Sequence, residues 1–204
     1  MSNWIVAVFL GDSLTAGFQQ GPGYMPPRYY PFTNLLESSI RLIITNFKED
    51  RDFVIVNQGI DGDSTSGMLE RFSRCVEPEH PEIVIIWGGI NDLSSRKSPE
   101  EIFTNIDKLV KRTRSINAVP IVINVAPVVG SSFNETIIRL NFLTQDYCRK
   151  NRVEYIDVFS ELIDSEGKLA DEFSNDGIHL SDSGYRKVIQ PIYESLIKMV
   201  KEMI

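Results

Sequence analysis

Five stretches of this 204-residue chain, residues 4–10, 53–57, 83–87, 119–126 and 153–158, are predominantly apolar and rich in β-branched and aromatic side chains. None alternates cleanly with polar residues. Near-continuous apolar runs this short are the pattern of parallel strands covered on both faces, because each face then needs apolar side chains. The segments between them carry helical spacing. Ser98-Pro99-Glu100-Glu101 is a helix start, with Ser at the N-cap, Pro at the first helical position and Glu at the third. The helix it opens places Ile102, Phe103, Ile106, Leu109 and Val110 on one face. Residues 134–150 and 181–203 repeat the period, the first through Ile137, Leu140 and Leu143, the second through Val188, Ile192 and Leu196. Weaker helical patterns cover 32–47 and 65–75. Pro191 predicts a kink or break near Gln190.

Strands alternating with helices predict an α/β protein with three α/β/α layers: five parallel strands in the flavodoxin-like order 2-1-3-4-5. No linker, repeat or low-complexity tract divides the chain, so residues 1–204 read as a single domain. The one long irregular segment, 18–31, is dense in Gly, Pro and aromatic residues. A loop of that length is a candidate for function.

Composition narrows the function classes. The net charge of -7 repels a phosphate backbone, and the densest basic stretch, residues 108–114, alternates with apolar residues as a solvated helix face does. Nucleic acid is therefore not an expected partner. With two histidines and two cysteines, most metal sites built from those ligands are excluded, and no metal or cofactor is expected. Cys75 and Cys148 have no partner at ligand spacing and read as reduced thiols. The run 4–10 is too short to span a membrane and lacks the flanks of a signal peptide. The expectation is a cytoplasmic protein without stable membrane insertion. Nothing in the sequence specifies an oligomeric state.

In a sheet of this kind, ligands bind outside the carboxyl ends of the strands. Gly11-Asp12-Ser13-Leu14 follows the first run and Asn57-Gln58-Gly59-Ile60-Asp61-Gly62-Asp63 the second. Gly88-Gly89-Ile90-Asn91-Asp92 follows the third, and Asp176-Gly177-Ile178-His179 precedes the last helix. A hydroxyl, glycine amides, a carboxamide and an Asp/His pair thus gather at one end. A serine hydroxyl needs a base to become nucleophilic near neutral pH, imidazole is the natural one, and a carboxylate fixes its tautomer.

In these four pieces the sequence resembles the GDSL, or SGNH, hydrolases, whose four blocks they match in order over nearly the whole chain. The resemblance implies a Ser–His–Asp acyl hydrolase acting on a small-molecule ester or thioester. It makes Ser13 the nucleophile, Asp176 and His179 the acid/base partners, and Gly62 and Asn91 oxyanion donors beside the Ser13 amide. Each residue has a structural alternative: Ser13 as a helix N-cap, Asp176 as a turn cap, Asn91 as a turn residue. Gly59 competes with Gly62, and the resemblance favours Gly62. Gly62-Asp63-Ser64 repeats the Gly-Asp-Ser triplet, but Ser64 reads better as a helix N-cap. His80, in a Pro-bounded acidic loop, belongs at the amino end of the sheet, away from the site. Asp12 is expected to hold its loop by hydrogen bonds to nearby amides, and Asp92 to be structural.

Around this centre, Tyr24 and Tyr29 of the aromatic segment, with Val128 and Phe133 after the fourth run, are candidates to line a substrate pocket. Asp61, Asp63 and Asp176 are expected to gather at its mouth, favouring neutral esters over acyl-CoA. A carbohydrate O-deacetylase or an acyltransferase would use the same machinery. A metal-dependent phosphoester hydrolase and a non-enzymatic flavodoxin-like binding module are the competing classes; the lack of a Walker pattern weighs against phosphate binding.

Overall fold

The computed structural model describes residues 4–21, 23–46 and 51–204. The expectations for the first three residues, Pro22 and Phe47 lie outside them. In chain order the elements begin with β1 (Trp4–Gly11), α1 (Ser13–Ala16), β2 (Phe18–Gln19), β3 (Arg28–Tyr29) and α2 (Phe32–Asn46). They continue with β4 (Asp52–Gly59), α3 (Thr65–Cys75), β5 (Ile83–Trp87), α4 (Ile90–Ser94), α5 (Pro99–Ser115) and β6 (Val119–Ile123). The last are α6 (Ser131–Asn151), β7 (Glu154–Ile156), α7 (Phe159–Leu162) and α8 (Asp182–Met203).

The main sheet runs β4-β1-β5-β6-β7, with every neighbouring pair parallel. Numbering only its own strands, this is the expected order 2-1-3-4-5. Its two faces explain the near-continuous apolar runs. Ile83, Ile85 and Trp87 of β5 pack on one side with Phe32 and Leu36 of α2 and Tyr185 and Ile192 of α8. Val84 and Ile86 pack on the other with Met68 and Phe72 of α3, Ile102 and Leu109 of α5 and Leu140 of α6. Each fully buried side chain of this kind contributes about 1.5–3 kcal/mol relative to an exposed one.

The helix signals are realised in hydrogen bonds. Ser98 and Glu101 close a reciprocal capping box on α5, with Pro99 at its first turn. The Ser64 side chain accepts from Gly67 N and starts α3, and the Ser181 side chain accepts from Gly184 N and starts α8. Both cysteines are free thiols, Cys148 buried and Cys75 half-buried.

Two expectations are corrected. Of the kink or break expected near Gln190, the break does not occur: α8 continues through Pro191. Proline removes one amide from the ladder, but the face carrying Val188, Ile192, Leu196 and Val200 is fully buried and holds the helix across it. The segment 18–31 is not wholly irregular: β2 and β3 form a small antiparallel hairpin, pairing Phe18 with Tyr29 and Gln19 with Arg28.

Candidate active site

Strands β4, β1 and β5 end level with one another. Gly11 of β1 pairs with Gly59 of β4 on one side and Trp87 of β5 on the other. The segments that follow therefore emerge side by side, and Ile60 N donates to Gly11 O (3.0 Å) to tie the first two together. Close approach requires glycine at 59: a Cβ there would sit 2.1 Å from the backbone nitrogen of Ala16.

Ser13 opens α1 directly after β1. Asp12 is its N-cap, accepting from Leu14 N (3.0 Å), and Gly17 ends the helix in the left-handed conformation. Tyr185 of α8, fully buried, holds this short helix by donating to Leu14 O (3.0 Å). Ser13 Oγ lies 3.1 Å from His179 Nε2, and His179 Nδ1 lies 2.7 Å from Asp176 Oδ2. A carboxylate can only accept, so Nδ1 carries the proton and Nε2 is free to accept from the serine hydroxyl.

The Asp176 carboxyl is held below its usual value. Partial burial works against its charge, but the His179 ring and the amides of His179 (2.8 Å) and Ile178 (3.0 Å) outweigh that cost. Asp12 behaves oppositely. Its burial, aided by the charges of Asp63 and Asp92, raises its carboxyl to about 7 against the opposing amides of Leu14 and of Asp12 itself. Its Oδ2 is buried without a hydrogen-bond partner among the described residues.

Gly62 has φ +74, the left-handed region, and a Cβ there would meet nothing within 4 Å. Its turn follows β4 on the same side of the sheet as Ser13. Asn91, at the start of α4, donates one carboxamide hydrogen to Asp63 O (2.9 Å). A primary amide has two, so one remains. Asp92 is structural, as expected: it is fully buried and accepts from Thr65 N (2.7 Å), Thr65 Oγ1 (3.1 Å) and Lys97 Nζ (2.7 Å). Ser64 is committed to capping α3. His80 follows the turn Glu77–Glu79 at the opposite end of β5.

The hairpin embraces the histidine turn. The Phe18 ring lies 4.5 Å from the His179 ring, centroid to centroid, and Tyr29 packs edge-on against Phe18. Gln19 donates to Leu180 O (3.1 Å), Arg28 pairs with Asp182 (2.6 Å), and Tyr29 Oη donates to Asp61 Oδ2 (2.5 Å). Tyr24 stands fully exposed at the hairpin tip. After β6, Val128 turns into the core, with Phe133 packed partly against the same cluster. Val129 instead is exposed and donates its amide to Gly177 O (3.0 Å), within the turn that carries Asp176 and His179. Exposed Ile60, Val129 and Ile178, with Tyr29, give the mouth an apolar rim. The sequence reading missed Val129 because burial parity after a strand end is not visible in a Val-Val pair. It also missed Arg71, whose signal is a lone cation on a helix face shared with Met68 and Phe72. Among the described residues no three His, Cys, Asp or Glu side chains gather at metal-ligand distances, and no helix is long and apolar enough to cross a membrane.

Comparison with known proteins identifies the family and the fold. The GDSL-like lipase/acylhydrolase family profile matches residues 9–187. The chain is 26% identical over 153 residues to human platelet-activating factor acetylhydrolase IB subunit alpha2, covering 72% of this chain and 66% of that protein. It thus spans just under two thirds of the length of that relative. An arylesterase of Vibrio mimicus is 27% identical over 128 residues, 62% of this chain and 58% of the arylesterase. The fold is shared with an Enterococcus faecalis lipase/acylhydrolase (TM-score 0.73, 23% identity, 96% of each chain). It is shared also with an acetylxylan esterase of Geobacillus stearothermophilus (TM-score 0.76, 16% identity, 94% of each chain). With most of its length matched by the family profile, this chain belongs to the GDSL-like lipase/acylhydrolase family.

Proposed function

We propose that the protein hydrolyses carboxylic esters through an acyl-enzyme on Ser13. The observation that carries the proposal is the continuous line Ser13 Oγ–His179–Asp176, at 3.1 and 2.7 Å. Ser13 Oγ attacks the ester carbonyl carbon as its proton passes to His179 Nε2. The carbonyl oxygen becomes an oxyanion, and three donors suit it: the Ser13 amide, the Gly62 amide and the second hydrogen of the Asn91 carboxamide. One such donor is worth about 2.7–4 kcal/mol in the transition state. The intermediate collapses, His179 gives its proton to the departing alcohol, and the acyl group stays on Ser13. Water then repeats the sequence and releases the acid. Asp176, ionised throughout, holds the Nδ1 proton and stabilises the imidazolium.

The apolar rim favours an aryl or alkyl group on the substrate, and the names of two relatives, an acetylhydrolase and an acetylxylan esterase, favour a short acyl group. The exposed Asp61 carboxylate at the mouth favours neutral esters over acyl-CoA. An alcohol that outcompetes water would make the same site an acyltransferase. The test is covalent trapping. A fluorophosphonate should add one phosphonyl group per chain, mapped to Ser13 by peptide mass, and Ser13→Ala should take up none.

A further inference from the structure

The repeated Gly-Asp-Ser triplet after β4 leaves Asp63 without a part in the acyl-transfer chemistry, yet Asp63 sits in an elaborate contact set. Its carboxylate Oδ2 pairs with Arg71 Nε of α3 (2.7 Å), the side chains only 11% and 9% exposed. Oδ1 accepts from Ser64 N (2.8 Å), the Asp63 amide donates to Ile60 O (3.1 Å), and Asp63 O receives the Asn91 carboxamide (2.9 Å). The Arg71 guanidinium spends its remaining nitrogens on Gly11 O (2.9 Å) and Cys75 Sγ (3.4 Å).

One side chain therefore touches both peptide segments that flank the oxyanion donors. Gly11 stands two residues before Ser13. Asp63 directly follows Gly62 and orients Asn91 through its carbonyl. A buried ion pair is weak as a source of stability, since desolvation roughly offsets the attraction. Its value here is geometric: the planar guanidinium meets acceptors on two segments in fixed directions, which a lysine cannot do.

Building on the Ser13 reading above, we propose that Arg71 and Asp63 form a positioning pair that locks the three oxyanion donors into one geometry. Arg71 touches neither substrate nor reacting atoms. It fixes the Gly11–Ser13 backbone relative to the Gly62–Asp63 turn, and Asp63 O fixes which carboxamide hydrogen of Asn91 is left for the oxyanion. The triplet recurs because the turn after β4 needs the carboxylate for Arg71 and the serine as a cap, not because a second nucleophile is required.

The test compares Arg71→Lys, Arg71→Met and Asp63→Asn with the parent on p-nitrophenyl acetate. Rates are expressed per serine titrated by diethyl p-nitrophenyl phosphate. Misplaced donors should lower kcat by ten- to a hundredfold while KM moves less than about threefold. The rate constant for phosphorylation of Ser13 should fall by a similar factor, because its transition state also puts charge on an oxygen in the hole. In an Asn91→Ala background the loss on Arg71→Lys should shrink, since one oriented donor is already gone. Lysine and asparagine variants keep the volume, so they carry the test if Arg71→Met does not fold. A lowered Tm with kcat per titrated serine within twofold of the parent in all three variants would overturn the proposal. If the parent itself is not phosphorylated on Ser13, the acyl-enzyme reading has failed, and the positioning claim falls with it.

Discussion

Asp12 occupies an unusual position for a carboxyl group: fully buried, one oxygen without a partner among the described residues, and adjacent to Ser13. In the unfolded chain it ionises from 3.8, and in the folded chain burial raises it to about 7. Below the lower value both states hold the proton. Between the two the folded chain holds a proton that the unfolded chain has released, so stability falls as pH rises, by about 1.4 kcal/mol per pH unit at most. Above about 7 both are ionised and the penalty is constant. Asp12→Asn keeps an oxygen for Leu14 N and removes the titration. Its Tm relative to the parent should rise between pH 5 and pH 7 and then level off; thermal melts at pH 5, 7 and 8.5 check this. A difference independent of pH would show that Asp12 is not proton-linked to folding. At this scale the sequence was informative where chemistry restricts the residue type. His179 was legible because the chain has only one other histidine, His80, at the opposite end of the sheet, and Ser13 and Asp176 stand beside it in the structure. Arg71 was illegible, because a single arginine in an amphipathic helix looks like any solvated cation until its buried partners are known.

Elements bring those residues together through close packing at the strand ends. Gly59 is the tightest point, where β4 meets α1. Gly59→Ala would drive a Cβ into the Ala16 backbone, so either β4 or the Ser13 helix must move. Overpacking of this kind costs about 1–3 kcal/mol. Because the displaced helix carries Ser13, the variant should lose both several degrees of Tm and most of its kcat. A thermal melt and an ester assay on the same sample check both; full activity with unchanged Tm would mean that the strand ends are not rigidly packed. The buried runs made the strands legible, but burial and pairing are different things. Residues 124–128 stay inside after β6 has left the sheet, with the Asn124 carboxamide satisfying Val158 N (2.9 Å) and Phe159 N (3.1 Å). The run 119–126 therefore overshoots the strand Val119–Ile123. The hairpin of β2 and β3 was hidden for the opposite reason. Each strand pairs two residues, and its order comes from contacts with the distant histidine turn.

For the whole molecule, the net charge of -7 bears on which substrates approach the site. Not all of the expected acidic cluster acts there: the Asp63 charge is met by Arg71 in a nearly buried pair, and the Asp176 carboxylate is held by the His179 ring and the amides of Ile178 and His179. Asp61 remains exposed, its carboxylate bonded among the described residues to the Tyr29 hydroxyl. Neutral p-nitrophenyl esters should therefore be turned over with little response to salt. For acetyl-CoA, kcat/KM should be lower and should rise as added salt screens the repulsion. A panel from acetyl to palmitoyl esters, with acetyl-CoA and acetylated sugars beside it at low and high ionic strength, checks charge preference and chain length together. Faster turnover of acetyl-CoA than of neutral esters at low salt would contradict the charge argument.

The most direct measurement of the central claim is kcat/KM for a p-nitrophenyl ester in Ser13→Ala beside Ser64→Ala, since the two serines share the same Gly-Asp-Ser context. Loss of the nucleophile should reduce turnover on the order of a million-fold. Loss of Ser64 removes only a helix cap, worth about 0.5–2 kcal/mol of stability, and should leave most of the rate. An active Ser13→Ala protein, or one whose activity survives while Ser64→Ala is dead, would contradict the assignment of the reaction to Ser13.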